Sequence, residues 1–339
     1  MKFLRLTIVV AVLGSFGSSI ISAKSRTLDI YFIDVEGGGA TLIVTPLGES
    51  LLVDSGFPIE RDPTRIAKVA REVAGLTQID HYISTHWHRD HFGGSMRLTQ
   101  LIPIKHYYDH GLPTAPAPDL QPELIEAYRQ VTEGRSTTLK PLDEIKFKSK
   151  SLQVKILAAN ATVAGEPLNA PQIRPCGPDF KPAAEDRTDN ARSVALLLSF
   201  GRFKFFNGGD LTWNVEHKLV CPKNLVGPVD IYQVDHHGMD DSNNPAFISA
   251  LKPTVALIDN GPRKGGGART YATLKAEGAA IYQLHRNLQL ADKDNAPAGF
   301  VANDEEACQG NYIKVSVADN GSYSVSIPAK GINRSYPGK

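Results

Sequence analysis

The chain has 339 residues, 42% of them hydrophobic and 22% charged, a balance that fits a soluble globular protein and excludes a disordered one. Its formal charge is +1, so no long-range field draws it to polyanions, and no polybasic run offers a local grip on nucleic acid. The length allows one large domain or two ordinary ones.

The opening stretch "MKFLRLTIVVAVLGSFGSSIISAKS" has Lys2 and Arg5, an apolar run from Leu6 to Leu13, and small residues up to Ala23. That order is the layout of a secretory signal peptide, cleaved near Ala23. Gly and Ser break the apolar run well short of the roughly 18 residues a membrane span needs. The expected mature protein is secreted or periplasmic, carries no membrane span, and has a charge of about −1 once Lys2 and Arg5 are removed from the +1 of the whole chain. All three cysteines, Cys176, Cys221 and Cys308, lie in the exported part, where a disulfide is permitted and an odd count leaves one thiol over.

Residues 27–56 alternate short β-branched and aromatic runs with Gly-rich breaks and read as three strands. Ile66, Val69, Ala70 and Val73 then fall at helical spacing, ending at Gly75. The strand "IDHYIS" runs directly into "THWHRDHFGG", and "IPIKHYYDHG" repeats the strand-to-loop pattern. A short helix in "QPELIEAYRQV" and strands around "LDEIKFKSKSLQVKILAAN" follow. Residues 160–189 hold five prolines and few apolar anchors, the composition of a long surface loop or lid. Order returns with "SVALLLSFGRFKFFNGGDL", the helix "TWNVEHKLV", and the strands "VDIYQVDHHG" and "PTVALIDNG" separated by the helix "PAFISALK". Strand, helix, strand implies parallel pairing. "NYIKVSVADNGSYSVSI" reads as a hairpin, and residues 329–339 as a frayed tail.

Three histidines and an aspartate occupy the six positions from His86 to His91. Imidazole nitrogen and carboxylate oxygen are the donors of a divalent ion in a hydrolytic site. His86 and His88, two apart, point the same way from an extended loop, while Asp90 and His91 begin the next turn and can serve a second ion. A single histidine is ordinarily a satisfied surface or core residue, but four donors at one strand end, followed by Gly93 and Gly94, are not so explained. Later strand ends add Asp210 in "NGGDL" and His236 and His237 in "VDHHG". None of the cysteines sits in a Cys-x-x-Cys arrangement, which argues against a thiolate centre.

"HWHRDH" matches the H-x-H-x-D-H signature of metallo-β-lactamase-fold hydrolases. More narrowly, the chain resembles the soluble domain of the competence protein ComEC and its stand-alone relatives. "YFIDVEGGGATLIVTPLGESLLVDSG", "ISTHWHRDHFGG", "SVALLLSFGRFKFFNGGDL" and "VDIYQVDHHG" fall in that family's order, over residues 28–290. The resemblance implies an α/β four-layer αβ/βα sandwich spanning residues 24–328, with the metals at the edge between two sheets. It makes His86, His88, Asp90, His91, Asp210 and one of the pair His236 and His237 the ligands, and gives Asp54 in "VDSG" the task of orienting the metal loop. Many relatives carry a further histidine before the "GD" strand. Here only His106 and His110 lie between His91 and Asp210, and "TDNARS" places Asp189 and Asn190 there instead. Two more departures flank the expected pocket: Gly39 stands where the competence branch has Asp, and "GPRKGGGART" replaces a His-containing loop.

The expected function is an exported metal-dependent hydrolase. Two divalent ions, zinc first and manganese second, would activate a water that attacks a phosphodiester, with Asp90 and Asp210 positioning it. Lys and Arg in "GPRKGGGART" are candidates for holding phosphate. The alternative is hydrolysis of a carbon-centred bond in a lactam, lactone, ester or thioester, and a non-enzymatic metal-binding module stands behind both. The expected partner is a small-molecule or phosphodiester substrate, nucleic acid included, and no protein partner is legible.

Overall fold

The computed structural model describes residues 27–115, 117–165 and 182–339. The signal peptide expected over residues 1–23 and much of the proline-rich stretch lie outside the described residues. Among the described residues, no helix is long and apolar enough to cross a membrane.

The chain builds one sheet, leaves it for a second, and returns. The first sheet takes β1 (Leu28–Phe32), β2 (Thr41–Val44), β3 (Ser50–Val53), β4 (Ile79–Ile83), β5 (Ile104–Asp109) and β6 (Thr137–Thr138). The second takes β7 (Glu144–Ile145), β8 (Leu152–Ala159), β9 (Thr162–Val163), β10 (Ala195–Phe200), β11 (Phe203–Asn207), β12 (Ile231–Gln233), β13 (Val255–Ile258), β14 (Ala280–His285) and β15 (Val301–Asn303). β16 (Ile313–Val317), β17 (Tyr323–Ile327) and β18 (Ile332–Tyr336) rejoin the first sheet beside β1.

Three apolar cores define four layers. Between the sheets, Leu28, Ile30, Phe32 and Val315 of the first meet Val154, Leu196, Phe205 and Val255 of the second. Strand side chains alternate faces, so β11 sends Phe203 and Phe205 to this core and Phe206 to the far side. There Phe206 and Tyr232 pack against the helices α5 (Trp213–Val220), α6 (Pro245–Leu251) and α7 (Ala268–Ala276) through Leu219, Phe247 and Leu274. On the opposite outer face, Tyr31, Leu42 and Tyr82 pack against α1 (Arg61–Lys68), α3 (Ser95–Leu101) and α4 (Pro122–Val131); the short α2 (Arg89–Phe92) adds Phe92. This is the αβ/βα sandwich expected from the resemblance.

β3, β4 and β5 run parallel, as do β11, β12, β13 and β14. Each group therefore ends at one edge, and loops at such edges are where α/β sheets gather chemistry.

Two expectations are corrected. Val73 lies at helical spacing yet is 42% exposed, because a π-helical turn over Val69–Val73 rotates it away from the apolar face. Residues 329–339 are not a frayed tail. Ile332–Tyr336 pairs antiparallel with β17, with Ile332, Arg334 and Tyr336 on the half-buried face, and the Tyr336 hydroxyl bonds that of Tyr282 at 2.9 Å. The period-two pattern in "INRSY" carried that strand, and the neighbouring Lys, Gly and Pro concealed it. Cys221 is disulfide-bonded and Cys308 is a free thiol.

Candidate metal centre

β4 delivers the histidine cluster. Beyond Ile83 the chain leaves the sheet and bends at His86 and Trp87. Trp87 turns into the helix layer, 1% exposed, edge-on to Phe92 and Tyr128. His86 and His88 lie together, with ring centroids 4.7 Å apart. Asp189 fixes this arrangement by accepting the Trp87 backbone N–H at 2.6 Å.

The donors meet in two groups, each with ligand atoms within 4.8 Å of one another: His86, His88 and Asp210 in one, Asp90, His91, Asp210 and His237 in the other. Asp210 belongs to both. Its Oδ2 lies 3.8 Å from His86 Nε2, 3.6 Å from His236 Nε2 and 3.5 Å from His237 Nε2, and its Oδ1 lies 3.1 Å from His91 Nε2. Asp90 Oδ2 is 3.3 Å from His237 Nε2 and 3.5 Å from His91 Nε2.

Most of these imidazoles are held from outside at Nδ1 and present Nε2 inward. Asp54 Oδ2 lies 2.8 Å from His91 Nδ1, Asp241 Oδ1 2.9 Å from His236 Nδ1, and Thr85 Oγ1 3.1 Å from His86 Nδ1, whereas His237 Nδ1 is buried without a hydrogen-bond partner, 3.3 Å from Asp259 Oδ1. A carboxylate behind a histidine fixes its tautomer and raises its basicity, the usual support of a metal ligand. Asp54 also accepts the Thr85 backbone N–H and hydroxyl, both at 2.8 Å, so one carboxylate clamps both ends of the histidine loop. Its backbone is left-handed, φ 63°, which sets it apart from an ordinary turn aspartate. Gly39 is required beside it: a Cβ there would meet Asp54 Oδ2 at 2.8 Å and His91 Nδ1 at 2.9 Å.

The electrostatics describe a cavity built for positive charge. Burial opposes ionisation of Asp90 and Asp210, yet His91 and His237 hold both carboxyls well below their ordinary range, with Lys264 also acting on Asp90. Against its own burial, His91 is raised to about 10 by Asp210, Asp54 and Asp90. Asp210 and Asp259 raise His237 as well, against burial and Lys264. Two N–H groups cannot face each other across the 3.1 Å between His91 Nε2 and His237 Nε2, so at most one proton sits between these rings. Burial pushes His86 well below its ordinary value, and its Nε2 is buried without a hydrogen-bond partner. Converging imidazole nitrogens, an orphaned one among them, and two shared carboxylates fit divalent ions.

Of the residues read from sequence, His86, Asp90, His91, Asp210 and His237 converge. His88 joins the first group, although its Nε2 is 3.1 Å from Asp119 Oδ2. Of the pair His236 and His237, His237 falls in a donor group, while His236 lies beside it with Nε2 3.6 Å from Asp210 Oδ2. Consecutive left-handed backbones, φ 52° at each, fan the two rings to different sides of the carboxylate. Asn190 stands beside them, its Nδ2 3.3 Å from His236 Nε2 and its Oδ1 buried without a partner. His110 bonds Asp189 at 3.0 Å, His106 stacks on His81, and Asn260 is spent on the carbonyls of Gly261 and His285. Asp119, Asp241 and Asp259 escaped the sequence reading. Strand-end reasoning could have found Asp259, one residue before Asn260.

Comparison with known proteins finds one family match and several likenesses of low identity. Residues 33–164 match the sequence model of the Metallo-beta-lactamase superfamily, a stretch that holds the histidine cluster and Asp54 and ends before Asp210. Recombination protein 2 of Haemophilus influenzae is 31% identical over 75 residues, 22% of this chain and 9% of that protein, so the chain spans a small part of the curated relative it matches. Among solved structures, the metallo-beta-lactamase fold protein YhfI from Bacillus subtilis aligns at 12% identity and a TM-score of 0.44, covering 76% of this chain and 96% of that one. CmlA, a diiron beta-hydroxylase from Streptomyces venezuelae, aligns at 16% identity and a TM-score of 0.43, covering 76% and 53%. The family match over residues 33–164, the two-sheet order and the placement of the donors agree with a metallo-beta-lactamase fold.

Proposed function

We propose that the protein is an exported metal-dependent hydrolase acting on a phosphodiester. The observation that carries this reading is the pair of donor groups meeting at Asp210. Divalent ions in those groups, zinc before manganese, would supply a nucleophilic water at neutral pH and offset negative charge on the electrophile. Asp90 and Asp210, ionised and buried, orient that water through the lone pairs left to them. Asp54 and Asp241 keep the Nε2 atoms of His91 and His236 aimed inward.

Lys264 favours phosphorus over carbon as the electrophile. The "GPRKGGGART" loop brings its ammonium into a salt bridge with Asp90, half-exposed at the edge of the donor set, where a phosphate oxygen can meet it. A cavity of about 400 Å³ opens beside His88 and is lined by Asp119, Asp189, Arg187 and Arg192. Its two guanidinium groups can receive the rest of a phosphodiester chain. The short alignment with a protein named for recombination points the same way.

The test is hydrolysis of bis-p-nitrophenyl phosphate, single-stranded DNA and nitrocefin by the mature protein, loaded in turn with zinc and manganese, with His88→Ala as control. Phosphodiester cleavage lost in the variant is the expected result. Nitrocefin turnover without phosphodiester cleavage would overturn the substrate class.

A further inference from the structure

A second donor cluster lies where β1 runs into the glycine loop. Asp34 and His285 are fully buried, and Cys308 is partly buried. A carboxylate oxygen of Asp34, a ring nitrogen of His285 and the Cys308 sulfur all lie within 4.8 Å of one another. The Cys308 Sγ donates to Asp34 Oδ2 at 3.1 Å and is 3.7 Å from Glu36 Oε1. His285 Nδ1 is 3.1 Å from the Arg286 carbonyl and so carries the ring proton. Its Nε2, which keeps the lone pair, is buried with no hydrogen-bond partner. A histidine whose Nδ1–H is tied to a backbone carbonyl and whose Nε2 lone pair is unclaimed is prepared as a metal ligand, and leaving that nitrogen empty in the interior is costly.

We propose that Asp34, His285 and Cys308, with Glu36 as the fourth donor, form a structural site for a zinc-class ion, separate from the hydrolytic centre. Thiolate, imidazole and carboxylate together suit zinc and discriminate against magnesium and calcium. Binding breaks the Cys308 S–H bond; the proton goes to solvent and the sulfur electron pair to the ion. Arg65 contacts three of these donors, its Nη2 lying 3.4 Å from Cys308 Sγ, and must give up those contacts when the ion binds. Its guanidinium is 3.4 Å from Asp34 Oδ2 and 3.1 Å from Glu36 Oε1, and is anchored by the carbonyls of Asp34 and Cys308 at 3.1 and 3.2 Å. Arg61 also pairs with Glu36 and with Asp62, so three carboxylates and a thiolate stand against a divalent ion and two guanidinium groups, and the occupied cluster is neutral.

The site would fasten the Asp34–Gly39 loop to the end of β14 and to the segment before β16. That loop supports the hydrolytic centre, because the Gly39 backbone N–H donates to the Asp90 carbonyl at 3.0 Å.

Cobalt separates the two centres. Among the described residues the hydrolytic donors include no sulfur, so a thiolate-to-cobalt charge-transfer band reports on Cys308 alone. The mature protein, stripped by chelator and reloaded with cobalt, should show that band. His88→Ala should keep it, and Cys308→Ser should lose it together with one cobalt per chain. Should Cys308→Ser not fold, the unaltered chain gives a second reading: zinc should slow alkylation of Cys308 by about tenfold or more, and chelation should restore it, because only the free thiolate is a nucleophile. A band that persists in Cys308→Ser, or a wild type with neither band nor protection, overturns the proposal.

Discussion

The two sheets equip the metal centre by different means. The first places four donors in a single loop after β4 and tightens that loop with one buried carboxylate, Asp54. The second places donors one strand at a time, Asp210 after β11 and His236 and His237 after β12, each with a supporting acid brought from elsewhere. In the first sheet the site is a local motif; in the second it is a product of parallel register. The first should therefore fail as a unit and the second by degrees.

Five experiments probe that contrast, from the largest expected effect to the smallest. Asp210→Ala removes the residue common to both donor groups, and should lower bound metal and abolish turnover by orders of magnitude, as read by metal analysis and hydrolysis kinetics. Retention of two ions with undiminished activity would dissolve the idea that the groups meet there. Asp54→Asn leaves every ligand in place and should cost about 10–100-fold in metal affinity, the usual toll for losing a carboxylate behind a histidine. Gly39→Ala should produce a loss of the same kind, since its Cβ needs the space of the Asp54 and His91 pair.

Asp241→Asn should cost much less than Asp54→Asn. Asp241 is 58% exposed in its pair with His236, whereas the Asp54 side chain is 4% exposed, and water screens the former. Equal losses in a metal titration would mean that the two sheets support their donors alike.

The smallest effect concerns stability beneath the second sheet's donors. Glu216 is fully buried in α5, accepts the backbone N–H groups of Asn243 and Asn244 at 2.7 Å each, and is pushed up to about 7 by burial. Because the folded state favours its protonated form, its contribution to stability is complete below its ordinary value of 4.5 and is lost as the pH rises through about 7. Glu216→Gln gives up one acceptor at every pH, so the informative quantity is slope. Its Tm should improve relative to wild type as the pH rises from 4.5 to 7, and parallel Tm curves would contradict the assignment.

Legibility in the sequence follows the same division. The strand succession and the "HWHRDH" loop could be read directly, because period-two and helical patterns and a contiguous motif are local signals, whereas the layers came with the family resemblance. Asp241 could not, since nothing near it in sequence says which way its side chain will face, whereas Asp259 directly follows a strand and lay within reach of the same reasoning. The edge strand β18 was hidden by its polar composition, and the rotation of Val73 by a π turn that leaves no trace in spacing. Cys308 looked like a leftover thiol, because its juxtaposition with His285 depends on β14 and the segment before β16 approaching the loop after β1.

The paired left-handed backbones at His236 and His237 bear on how this protein would respond to selection. A side chain held at positive φ costs on the order of 1–3 kcal/mol, and glycine would carry no such penalty. A library screened for thermal survival alone should accumulate glycine at position 236, where the ring is supported by a solvent-exposed acid. A library screened for turnover should keep both histidines. The divergence between the two populations would show how much folding stability is given up here to bring two imidazoles to one carboxylate.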